Sequence, residues 1–107
     1  MTVAFDVDYT LIGEHDEPLY DNIDLLRWFA RHGHRIIVWS GGGKDYATMW
    51  ARRLGLLDVV HATESKGKEA SKKWKPDICF DDCMVELATV NCQIIHPTSK
   101  NDPPEKW

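Results

Sequence analysis

Apolar residues in this chain come in short blocks separated by longer amphipathic stretches. Five blocks predict strands, over residues 3–6, 35–40, 58–62, 78–81 and 92–96. Runs this apolar suit strands covered on both faces. Between them the spacing predicts helices. Residues 21–32 place Leu25, Leu26, Phe29 and Ala30 on one side, with Asp24, Arg27 and Arg31 opposite. Asp21 is the expected cap of that helix, Asp24 lies in its first turn, and Gly33 stops it. A second helix over 45–54 places Tyr46, Ala47, Trp50, Ala51 and Leu54 on one face before Gly55. A short basic helix is expected over 65–74, and one or two helical turns over 84–90. Residues 12–20, with Gly13 and Pro18, read as a loop, and residues 97–107, with three prolines, as a mobile tail.

Strands alternating with helices predict an α/β domain over residues 1–96 with a parallel sheet. In such sheets ligands bind beyond the carboxyl ends of the strands. Asp6, Ser40 and Asp81 each end an apolar run, so the topology would bring them to one edge.

Bulk properties narrow the classes. A chain of 107 residues can bury one core. The formal charge of −4 argues against a general nucleic-acid or membrane-surface binder, although residues 66–75 are locally basic. No apolar run is long enough to span a bilayer, and no basic-then-apolar leader is seen, so no membrane association is expected. Cys79, Cys83 and Cys92 lack paired-ligand spacing and read as free thiols of a reducing compartment, which points to the cytoplasm.

The chemistry begins with Asp6, Asp8 and Thr10, delivered by the first strand. Charges beside a core are costly unless compensated, and a divalent cation held by oxygen ligands is the simplest compensation. The same edge would hold Ser40, Gly41, a lysine from Lys66 or Lys68, and the pair Asp81 and Asp82. Carboxylates, a hydroxyl, a lysine and exposed backbone N–H groups suit magnesium-dependent phosphoryl chemistry. One carboxylate can attack phosphorus, and a second can move the proton.

The order D-x-D-x-T, an apolar strand ending in Ser, a Lys, then an apolar strand ending in Asp-Asp resembles the haloacid dehalogenase superfamily. The resemblance runs from about residue 3 to residue 96. It implies a Rossmann-like three-layer sandwich whose five-stranded parallel sheet has the order 5-4-1-2-3. It implies Asp6 as nucleophile, Asp8 as general acid/base, Lys66 facing the phosphate, and Thr10, Ser40 and Gly41 as phosphate contacts. Mg²⁺ would be held by Asp6, the Asp8 carbonyl, Asp81 and Asp82. An aspartate at position 8 looks like a phosphatase rather than a dehalogenase. A loop and one helix use up the interval from Thr10 to Ser40, and the interval from Gly55 to Lys66 is shorter, so a capless member is implied. Its substrate would be a phosphorylated small molecule or macromolecular end, with oligomerisation open.

This chain departs from the common pattern in three places. Tyr9 stands where glycine is frequent. Lys66, Lys68, Lys72, Lys73 and Lys75 share one window, with Lys66 favoured because it precedes Gly67. Glu86 is the nearest candidate for a further acid.

Plainer readings compete at several positions. Gly41–Gly43 with Lys44 lacks the ending of a P-loop, since Asp45 follows. Trp28, Trp39 and Trp50 read as core, His32 and His34 as surface, His61 as the end of the third strand, and Cys83 as a small packing residue. A receiver domain has similar groups in a different order. The alternative function is a non-catalytic phosphate-binding or interaction module on the same fold.

Overall fold

The computed structural model describes residues 1–83, residue 85 and the backbone of residues 90–93. The chain runs β1 (Thr2–Asp6), α1 (Tyr20–Arg31), β2 (Arg35–Ser40), α2 (Lys44–Arg53), β3 (Ala62–Ser65), α3 (Lys68–Trp74), β4 (Ile78–Asp81) and β5 (Val90–Gln93). It is an α/β fold with a parallel sheet. The strands lie in the order β3-β2-β1-β4-β5, and each neighbouring pair is parallel.

The apolar content of the strands explains why they are central. All of β1 is buried, and in β2 only Arg35 is exposed. Alternate side chains feed opposite faces. Val3, Phe5, Ile36, Val38 and Phe80 pack with Ile23, Leu26, Phe29, Ala47 and Trp50, so α1 and α2 cover one face. Ala4, Ile37, Trp39 and Cys79 pack with Ala70 and Trp74, so α3 covers the other. Phe5 and Phe80 are register partners on β1 and β4, and their rings stack at 4.8 Å.

Several element boundaries differ from the sequence expectation. The third strand occupies 62–65, not 58–62. The Leu56 carbonyl accepts N–H bonds from both Val59 and Val60, so this β-branched pair closes a turn instead of joining the sheet. His61 therefore precedes the strand it was expected to end. The third helix starts at Lys68, after Gly67, so Ser65 and Lys66 lie outside it. Asp21 does not cap α1. Leu19 holds the cap position, and Asp21 is in the first turn in place of Asp24. Leu19 is buried and its N–H bonds to the Leu11 carbonyl, so the preceding loop anchors the helix start. Trp28 is not a core residue. It is exposed and stacks on His32 at 4.1 Å. β5 spans 90–93, earlier than the expected 92–96. Glu86, the expected tail over 97–107 and most of the turns expected over 84–90 lie outside the described residues.

Candidate active site

The carboxyl ends of β1, β2, β3 and β4 supply the polar groups. Asp6 ends β1, Ser40 ends β2, Lys66 follows β3 directly, and Asp81 ends β4. β1 pairs with both β2 and β4. Parallel pairing places all these tips on one rim.

Lys66 joins the rim because its N–H donates to the Ser40 carbonyl at 2.8 Å, carrying the β2·β3 ladder one bond past the strand. Its ammonium then reaches Asp81 Oδ2 at 3.0 Å and Asp6 Oδ1 at 3.5 Å. Asp81 is fully buried, and its other oxygen accepts the Cys83 N–H at 3.0 Å. Asp82, next along the chain, is exposed. Lys68 begins α3 instead. It lines a cavity of about 450 Å³ with Lys66, Ser65 and Gly67.

The electrostatics show a surplus of negative charge. Burial, the Asp81 charge and the nearby Asp82 push the Asp6 carboxyl up to about 7, against the pull of Lys66. Asp81 is raised as well, chiefly by burial, with the Cys83 N–H and Lys66 working against it. Burial works to lower the Lys66 ammonium, but Asp6 and Asp81 outweigh it and its pKa is raised. One ammonium thus faces two carboxyls, with the Asp82 carboxyl acting on Asp6 beside them. Their donor atoms are all hard oxygens, the set that magnesium prefers, and a divalent ion would supply the missing positive charge. Asp81, Asp82 and Cys83 also stand within ligand distance of one another. The Asp82 charge, then burial, raises the Cys83 thiol, the opposite of what activates a nucleophile.

The glycine turn after β2 is shaped by Ser40. Its hydroxyl oxygen accepts the Gly42 N–H at 3.0 Å, and its carbonyl accepts that of Gly43 at 3.1 Å. Gly43 has φ of 108°, a left-handed value that suits glycine. Gly41 is exposed at the tip of this turn.

The segment after β1 splits its expected residues. Val7 is buried, Asp8 and Tyr9 are exposed, and Thr10 is buried. The Val7 carbonyl collects the N–H groups of Thr10, Leu11 and Ile12 in a tight turn. Tyr9 has φ of 61°, a costly conformation for a residue with a side chain. The Thr10 hydroxyl is sealed from solvent with no partner among the described residues. The Thr10 carbonyl accepts Asn22 Nδ2 at 2.9 Å, which ties the turn to α1. The structure therefore gathers Asp6, Ser40, Lys66, Asp81 and Asp82, and leaves the Thr10 hydroxyl beneath the turn.

Sequence reasoning missed one residue here. Tyr46 Oη donates to Asp8 Oδ1 at 2.7 Å. Burial, then the Asp8 bond, raises the Tyr46 phenol, while the Trp50 side chain works against that shift. The Trp50 indole nitrogen is buried without a partner of full hydrogen-bond geometry among the described residues. Tyr46 sits in the apolar pattern of α2, so periodicity alone assigns it to the core.

No family model, curated protein or solved structure matches this chain.

Proposed function

We propose that this chain is a magnesium-dependent phosphomonoester hydrolase of the haloacid dehalogenase type, without a cap domain, working through an aspartyl phosphate on Asp6. The Rossmann-like three-layer reading, with sheet order 5-4-1-2-3, belongs to this proposal. The observation that carries it is the meeting of Asp6, Asp81 and Lys66 on the carboxyl rim of a parallel sheet, beside the Ser40 turn.

Each residue has a task. An Asp6 oxygen attacks phosphorus in line, forming an O–P bond as the ester P–O bond breaks. Asp8 gives a proton to the departing oxygen, then takes one from the water that releases inorganic phosphate and restores the Asp6 carboxylate. Lys66 and the N–H groups of the Ser40–Gly43 turn, Gly41 foremost, stabilise the phosphoryl oxygens. Mg²⁺, held by Asp6, Asp81, Asp82 and the Asp8 carbonyl, would offset the negative charge shared by the carboxylates and the phosphate. Thr10 supports this reading through the turn that its carbonyl anchors. The substrate is a phosphorylated small molecule or an exposed phosphorylated end of a larger one.

The test is release of p-nitrophenol and inorganic phosphate from p-nitrophenyl phosphate with magnesium present. Turnover should vanish on chelation and in Asp6→Asn. Binding of inorganic phosphate without any turnover would instead favour the non-catalytic module.

A further inference from the structure

The geometry points to Tyr46 as a positioning residue that holds the Asp8 carboxyl in place, so that Oδ2 presents the proton to the leaving group. This role rests on the phosphatase reading above.

Asp8 is exposed on a turn, where a carboxylate is free to sample several rotamers. Tyr46 Oη fixes it through the 2.7 Å bond to Oδ1, and no other side chain bonds this carboxylate among the described residues. The phenol is itself held. Tyr46 and Trp50 stand one turn apart on α2, and Trp50 is buried against the sheet. The second constraint on the ring is Gly42. A Cβ there would come 3.2 Å from the Tyr46 ring and 3.3 Å from Ser40 Oγ. The glycine therefore leaves the space that the ring fills. One short segment, from Ser40 to Tyr46, thus shapes the phosphate-side turn and also reaches the proton donor.

The bond selects which oxygen acts. With Oδ1 accepting from the phenol, Oδ2 is left to carry the proton. As Asp6 forms its bond to phosphorus, the electron pair of the breaking P–O bond stays on the departing oxygen, which takes the Oδ2 proton. Asp8 becomes a carboxylate, and the phenol bond changes from neutral to charge-assisted and strengthens. The contact therefore helps the end of the step more than its start, the kind of interaction that raises kcat. In the second step Asp8 recovers its proton from the attacking water.

A series of esters separates this role from a merely structural one. Good leaving groups depart without protonation and poor ones do not. In Tyr46→Phe, kcat/KM, which reports the steps through leaving-group departure and not the hydrolysis that Asp8 also serves, should fall least on p-nitrophenyl phosphate. On an alkyl phosphate it should fall on the order of 10- to 100-fold. Asp8→Asn should show the same dependence more steeply, and Gly42→Ala should show it in milder form by crowding the ring. Equal losses across the series in Tyr46→Phe, or none, would overturn the positioning role. If Asp6→Asn is inactive on every ester while Tyr46→Phe has a flat profile, only the Tyr46 role falls. If Asp6→Asn keeps activity, the phosphatase reading falls and takes this inference with it.

Discussion

Asp6 and Asp81 end adjacent parallel strands and meet at a single ammonium, Lys66 Nζ, at 3.5 Å and 3.0 Å. Neither carboxylate is exposed, and burial raises the pKa of both. Two buried acids sharing one lysine form a site of unbalanced charge, which costs stability.

That imbalance has a pH signature. Asp6 is raised from 3.8 to about 7. A folded-state value above the unfolded one means that the native state binds the proton more tightly. The stabilisation is complete below about pH 4 and is lost as pH rises through about 7. Asp81 is raised too and acts in the same sense. Lys66, raised above 10.5, titrates outside this window. With metal chelated, thermal unfolding should show a higher midpoint at pH 5 than at pH 8, reflecting a stability difference on the order of a few kcal/mol. Asp6→Asn should flatten the difference, and magnesium should raise the midpoint at pH 8.

Lys66 and Lys68 should separate cleanly in kinetics. Lys66→Ala removes the countercharge of Asp6 and Asp81 and should lower kcat by about 100-fold or more. Lys68→Ala changes the first residue of α3, away from the carboxylates, and should leave kcat at the wild-type level. Steady-state assays on p-nitrophenyl phosphate measure both. Equal losses would show that Lys66 does not act through its contacts with Asp6 and Asp81.

Tyr9 is a strained position with a simple remedy. Its φ of 61° favours glycine, and the residue is 43% exposed, so relief of backbone strain offsets the loss of a partly covered ring. Tyr9→Gly should leave the protein at least as stable, whereas Tyr9→Val should cost about 1–2 kcal/mol. Denaturant titration of both variants checks the sign.

The Phe5–Phe80 stack joins β1 to β4 directly beneath the rim. Phe5 also meets Phe29 of α1 edge-on at 6.5 Å. Phe5→Ala should destabilise by about 3–5 kcal/mol, through lost burial and the cavity left behind. Phe5→Leu should cost less. A drop in the urea midpoint at unchanged slope would identify the effect as stability.

Hydrophobic patterning alone specifies the α/β class, because strands covered on both faces must be apolar along their length and helices between them must be amphipathic. It also marks Asp6, Ser40 and Asp81 as residues where apolar runs stop, which is a local property of the chain. The choice of lysine is only partly local. Five lysines share one basic window, and although Gly67 favours Lys66, its place on the rim follows from β3 ending at Ser65 and the Ser40 carbonyl taking the next N–H. The strand boundary itself depends on Leu56 closing a turn over Val59 and Val60, a competition that β-propensity cannot rank. The bond from Tyr46 to Asp8 lies deeper still. A tyrosine in an apolar stripe is indistinguishable from core until α2 packs against the sheet and brings its phenol to the turn after β1, so tertiary packing alone decides that contact.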